Sequence, residues 1–224
     1  MEVKLFMEKF SPYVILSAAI SIDGKIATKT GDSKLSSKQD SIRVHKLRSK
    51  VDAILVGKNT VTVDNPLLTV RHTKGKNPIR IVLDSKGTLS DKSKILQTSD
   101  KIKTIIVVSK KITKLNYNRL SKFPVKLLVV GESSVNLKSL LRKLSDEKIK
   151  TILVEGGGTI NWEFIKQNIF DELIITLSPF LIGGNNAISL VQGEGFGKIS
   201  KSPNLRLKSV KRLKNHLVVH YAKV

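Results

Sequence analysis

The chain has 224 residues, enough for one well-buried domain and short for two. It contains no cysteine, which excludes disulfides, thiolate nucleophiles and cysteine-ligated zinc, including the zinc site of nucleobase deaminases. Forty Lys and Arg against 18 Asp and Glu give a net charge of +22, which asks for a phosphate-rich partner or a lysine-coated surface. Eight of the 40 cations are arginine, the lysines are spread along the whole chain, and no basic cluster interleaves with aromatics. Nucleic acid is therefore not the expected partner, and most of the charge reads as solvated surface. No apolar run reaches the ~18 residues of a membrane span, and "MEVKLFMEKFSPY" has no apolar leader. The expected setting is cytoplasmic, with no membrane partner.

In chain order, "YVILSAAI" (13–20) reads as a strand, and Ile22-Asp23-Gly24-Lys25 as a turn into a short extended segment. "SSKQDSIRVHKLRSK" (36–50) reads as a helix opened by a capping box, Ser36 with Gln39 three residues on. "VDAILVG" (51–57) is a strand running through Gly57 into a helix start at Asn59-Thr60, a turn at Asp64-Asn65-Pro66, and an extended return from Leu67 to Arg71. "IRIVLD" (79–84), "IKTIIVVS" (102–109) and "VKLLVVG" (125–131) follow as strands. "NLKSLLRKLSDEK" (136–148) places Leu137, Leu140, Leu141 and Leu144 on one helix face, with Asn136 as its cap. The strand "KTILVE" (150–155), the helix "GTINWEFIKQ" (158–167) and the strand "ELIITLS" (172–178) complete the alternation. "LRLKSVKRLKNHLVVHYAKV" (205–224) reads as two strands turning near Lys214-Asn215. Most strands are continuous apolar runs, as strands buried on both faces are. The expectation is a single α/β domain over 1–224, a mainly parallel sheet finished by an antiparallel hairpin.

Three strand ends carry ligand-capable residues. In "ILVEGGGTINWEFI" (152–165), a strand runs into Glu155, three glycines and a helix. Such a junction presents free N–H groups and a positive helix end to an anion, and the missing Cβ atoms let a phosphate approach the main chain. It is neither GxGxxG nor a P-loop. At the second, Thr60 and Asp64 can bond ligand amides or hydroxyls and Arg71 can grip a phosphate bidentately, although Asn59 and Asp64 also suit ordinary cap and turn roles. The third is the Asp23-Gly24 turn, itself compatible with a plain β-turn.

Together, "SIDGKIA" (21–27), "HKLRSKVDAILVGKNTVTVDNPLLTV" (45–70), "RIVLDS" (80–85) and "LVEGGGTINWEFI" (153–165) closely resemble the riboflavin-pathway reductases, and "FDELIITLSPFLIGG" (170–184) continues the match. The resemblance implies a dihydrofolate reductase-like three-layer fold. It also implies reduction of a ribosylamino-pyrimidine 5′-phosphate, with NADPH as cofactor, NADH being the alternative. Thr60, Asp64, Ala18, Ser85, Val130 and Gly156, Gly157, Gly158, Thr159 and Ile160 would contact the cofactor. Ser33, Arg48, Leu68 and Arg71 would hold the sugar phosphate end of the substrate. Glu155 would hold its polar head, and Asp23 would border the reacting centre. Gly183-Gly184 suits a second close backbone approach or a plain loop. Bacterial members commonly carry a lysine six residues before the Asp-Gly pair, where this chain has Ser17, so no catalytic acid is assigned. The family resemblance also implies a homodimer, with the apolar C-terminal strands as interface.

Two rivals are a dihydrofolate reductase, which needs an early-helix carboxylate that only Asp40 offers, and a non-catalytic nucleic-acid binder. His45, His72, His216 and His220 show no metal-site pattern, so no metal is expected, and Trp162 reads as a core anchor. Lys110 and Lys111 are candidate partners for a cofactor 2′-phosphate.

Overall fold

The computed structural model describes residues 11–224; the opening stretch 1–10, read above as having no apolar leader, lies outside the described residues. The chain forms β1 (Tyr13–Ile20), β2 (Lys25–Ala27), α1 (Lys38–Arg48), β3 (Ala53–Gly57), α2 (Lys58–Asp64) and β4 (Ile79–Leu83). There follow α3 (Lys94–Gln97), β5 (Thr104–Val108), α4 (Lys114–Leu120), β6 (Lys126–Val129), α5 (Leu137–Asp146) and β7 (Thr151–Val154). The last elements are α6 (Gly158–Lys166), β8 (Glu172–Leu177), β9 (Ile188–Ser189), β10 (Leu205–Leu213) and β11 (His216–Lys223). Nine strands make one sheet in the order β10-β11-β8-β1-β7-β3-β4-β5-β6, and β2 pairs with β9 in a small second sheet. The seven strands from β8 to β6 run parallel, while β11 and β10 are antiparallel additions at one edge. The expected sheet and terminal hairpin are both present.

The β-branched runs of β3 and β5 are buried along their whole length, because helices cover both faces of the sheet. On one face, Leu137, Leu140, Leu141 and Leu144 of α5 and Phe164 of α6 pack into a single core with Leu55, Ile81 and Val154. On the other, residues of α2, α3 and α4 pack with Ile54, Val56, Val82 and Ile106. The result is three layers. Asn136 caps α5, accepting the Ser139 N–H. Trp162 is buried with its ring edge against Phe196, as a core anchor should be.

The capping box of α1 is displaced by one residue from the expected pair. Ser37, not Ser36, is the cap, and its Oγ accepts from the Asp40 N–H. The Asp40 carboxylate explains the shift: Ser36 Oγ donates to it, leaving Ser37 to satisfy the first turn. Sequence reading also missed the short helices α3 and α4.

Arg80, fully buried on β4, clasps the loops around it. Its guanidinium donates to Thr104 Oγ1, Thr98 Oγ1 and the carbonyls of Leu67, Ile95 and Ile102. Burial lowers its pKa to about 10, against the pull of Asp100. The bond to Leu67 ties down the segment that leads to Arg71.

Candidate active site

The strand order places β7 between β1 and β3, so connections leaving these strands diverge and open a crevice at their carboxyl ends. A cleft of about 680 Å³ lies there, within the range of sites that enclose small molecules. Its floor is Ser17, Ala18 and Ala19 of β1, Gly57 of β3, Leu83 at the end of β4, and Glu155 after β7. The small residues ending β1 leave the space that larger side chains would fill.

One wall is the glycine junction. Gly156 and Gly157 adopt φ of 85° and 72°, a region that L side chains rarely enter. A Cβ on Gly158 would meet the Ser189 carbonyl and Gln192, so the third glycine is required by a close backbone approach. Helix α6 begins here with no side-chain cap, so the N–H groups of its first turn are open to a ligand. Asn161, in that turn, donates from Nδ2 to the Leu190 carbonyl. Its buried Oδ1 has no hydrogen-bond partner, and the residue lines the cleft. Nothing in the sequence singled out Asn161, because an asparagine in the first turn of a helix reads as ordinary.

The facing wall is α2. Gly57 N–H donates to the Gly156 carbonyl, joining the two junctions. Thr60 Oγ1 reaches the same carbonyl at 3.4 Å. At the mouth, Ser33 Oγ donates to Asp64 Oδ1 at 2.9 Å. Within the cleft, Arg48 and Glu155 form a bidentate pair, Nε to Oε1 at 2.7 Å and Nη2 to Oε2 at 2.6 Å. Burial disfavours the Arg48 charge, but the carboxylate beside it outweighs burial and raises the guanidinium pKa.

Ala18, Ser33, Arg48, Thr60, Asp64, Ser85 and residues 155–160 thus line one cleft. Four other expected site residues do not line it. Leu68 and Val130 are buried in the two cores. Arg71 is exposed beside the cleft, its Nη1 donating to Thr69 Oγ1 at 2.5 Å. Asp23 accepts from Ser21 Oγ and from the N–H groups of Ile182 and Gly183, bonds that hold its carboxyl well below the usual range. It fastens the Gly183-Gly184 loop to the β1–β2 turn.

Asp40 is not available to a ligand. It is fully buried, accepting from Ser36, Arg43 and Thr176, and lies outside the cleft. Lys110 is paired with Glu132. His216 reaches the Leu35 carbonyl and His220 reaches Glu172, and no cluster of metal-ligating side chains occurs among the described residues.

A family model of the RibD C-terminal domain matches residues 12–219. The chain is 38% identical over 213 residues to the 2,5-diamino-6-ribosylamino-4(3H)-pyrimidinone 5′-phosphate reductase of Methanothermobacter thermautotrophicus, covering 94% of this chain and 97% of that protein. It is also similar to the crystal structure of the Thermotoga maritima diaminohydroxyphosphoribosylaminopyrimidine deaminase/5-amino-6-(5-phosphoribosylamino)uracil reductase, at TM-score 0.79 and 28% identity. That match covers 96% of this chain but 57% of the Thermotoga protein, so the chain spans little more than half of it. Dihydrofolate reductase from Enterococcus faecalis, complexed with NADP(H), superposes at TM-score 0.53 and 12% identity over 94% of this chain and 96% of that one, a likeness of fold alone. The chain belongs to the RibD C-terminal domain family.

Proposed function

We propose that the chain, an oxidoreductase by its family, works as one domain over 1–224 in riboflavin biosynthesis. It reduces the ribose of 2,5-diamino-6-ribosylamino-4(3H)-pyrimidinone 5′-phosphate to the ribitylamino product, with NADPH as reductant. The observation that carries this reading is the bidentate Arg48–Glu155 pair in the same cleft as the glycine junction, in a chain 38% identical to a reductase of that name.

The cleft residues fit a dinucleotide. Two positive-φ glycines, a third pressed against Ser189, and the uncapped start of α6 make a cradle for a pyrophosphate. The orphaned Asn161 Oδ1 suits a ligand hydroxyl or amide donor. Thr60 and Asp64 face the glycines from α2, and Ser85 extends the site along the end of β4. When bound, the nicotinamide supplies a hydride to C1′ of the opened sugar.

The chain's own groups orient the substrate. Arg48 and Glu155, held together, present one edge of fixed donors and acceptors, and Arg71 adds a cation beside them. The nitrogen on C1′ needs a proton as the C–N double bond is reduced. Glu155 is committed to Arg48, Asp23 is held ionised on a loop, and Ser17 stands where a lysine could have acted. Water entering the open cleft therefore delivers that proton.

The same reading includes a homodimer and a cytoplasmic setting. Leu207, Val210 and Leu217 on the terminal hairpin are exposed apolar side chains suited to an interface. No described helix is long and apolar enough to cross a membrane. Mass spectrometry of the product tests the chemistry: the substrate should gain the elements of H2 and keep its exocyclic amines. Loss of an amino group instead would reject the reduction.

A further inference from the structure

His45 is 3% exposed and lies outside the cleft, yet it bonds to the machinery beside it. His45 and Arg48 are three residues apart on α1, which puts them on one helix face. His45 Nδ1 accepts the main-chain N–H of Arg71 at 2.8 Å. Arg71 Nη1 donates to Thr69 Oγ1, and Arg48 Nη1 donates to the Thr69 carbonyl at 3.1 Å. These bonds close a ring, α1 to Arg71 to Thr69 and back to α1, with neutral groups at every acceptor.

The charges in this ring are unbalanced. Arg48 has Glu155, whereas Arg71 has no acidic partner among the described residues. Burial, then the neighbouring Arg48, lowers the Arg71 pKa. Two neighbouring guanidiniums with a single carboxylate, bound to Arg48, leave a site of net charge +1 that attracts a phosphate. Holding them together without that anion requires rigid neutral contacts, and His45 supplies the main-chain one. Burial, with Arg48, Arg71 and His72 nearby, lowers the imidazole pKa to about 4, so the ring is neutral at physiological pH with Nδ1 free to accept. The His72 ring packs edge-on at 4.5 Å and fixes its plane.

We propose that His45 is a positioning residue for phosphate recognition, setting Arg71 against Arg48 through the Arg71 main-chain N–H. This rests on the reading that the two arginines take the substrate's 5′-phosphate. With the Nδ1 acceptor removed, Thr69 and Val70 stay tied through Arg48 and Asn77, but the Arg71 main chain loses its bond to α1 and the cation its set position.

The test uses the full chain with NADPH, the phosphorylated substrate and its dephosphorylated ribosylamino counterpart. His45→Phe keeps a ring but removes the acceptor, and His45→Asn restores an acceptor oxygen near the Nδ1 position. His45→Phe should raise KM for the phosphorylated substrate about tenfold, the equivalent of one charge-assisted contact, with kcat and the KM for the dephosphorylated compound nearly unchanged. His45→Asn should recover most of that loss. Equal KM increases for both substrates, or no increase, would overturn the inference. If the unsubstituted protein does not distinguish the two substrates, the phosphate reading itself fails and the inference goes with it. If His45→Phe does not fold, 15N shifts of the unsubstituted protein decide: the Nε2–H tautomer is expected at neutral pH, and an Nδ1–H tautomer or an imidazolium overturns the assignment.

Discussion

Arg48 and Glu155 meet through two parallel hydrogen bonds of 2.7 and 2.6 Å, with side chains 12% and 14% exposed. Sequence resemblance assigns them to opposite ends of the substrate, and the structure makes them one unit joining α1 to the end of β7. The pair is set before ligand arrives, as a preorganised site should be. Removing either partner leaves the other charge buried and alone. Glu155→Leu and Arg48→Leu should each destabilise the fold by about 3–5 kcal/mol, and the double variant by less than the sum. Urea unfolding of the three variants measures this; additive losses would mean that the pair is not coupled.

The glycine junction separates two kinds of constraint. Gly157→Ala strains the backbone at φ 72° but meets no backbone atom, only Thr60 Oγ1 at the edge of contact, so it should cost about 1–2 kcal/mol. Gly158→Ala drives a methyl into the Ser189 carbonyl, and should cost about 1–3 kcal/mol through displacement of the β9 loop. Both should weaken NADPH binding, measured by quenching of the Trp162 region or by calorimetry. Full affinity in Gly158→Ala would mean that the loop shifts freely.

Burial of His45 links stability to pH. Its folded pKa of about 4 lies below the unfolded value of about 6.5, so the unfolded chain binds more protons between these values. Stability contributed by the neutral ring is therefore full above about pH 6.5 and is lost as pH falls toward 4, by on the order of 3 kcal/mol. Urea unfolding at pH 7 and pH 4.5 should show a smaller decline in His45→Phe than in the unsubstituted protein. Equal declines would mean that the buried ring is not held neutral.

Arg80 offers a control away from the cleft. Arg80→Met fills similar space but removes the guanidinium donor from the carbonyls of Leu67 and Ile95, while Ile102 keeps the Thr104 hydroxyl, and should destabilise by about 2–4 kcal/mol. Because Leu67 leads to Arg71, substrate KM should rise while NADPH affinity holds. A parallel loss of cofactor affinity would show that the clasp supports the whole cleft.

The sequence made the sheet legible because the strand pattern of an α/β fold is written in long apolar runs bounded by glycine and polar residues. β1 matches its expected span from Tyr13 to Ile20, and the cleft gathers most of the residues that resemblance named. Short elements were harder to read. Helix α3 has four residues and β9 two, too few for periodicity to declare itself. The capping box slipped because Ser36 and Ser37 are chemically alike, and only the position of Asp40 over the sheet decides between them. The links through His45, Thr69 and Asn161 depend on contacts between segments far apart in sequence, which no local pattern encodes.

The most direct measurement follows nicotinamide absorbance as purified protein meets NADPH, with and without 2,5-diamino-6-ribosylamino-4(3H)-pyrimidinone 5′-phosphate. The reading predicts oxidation of NADPH that depends on this substrate, slower turnover with NADH, and none with dihydrofolate. Dihydrofolate turnover, or tight NADPH binding with no turnover of the ribosylamino phosphate, would contradict it.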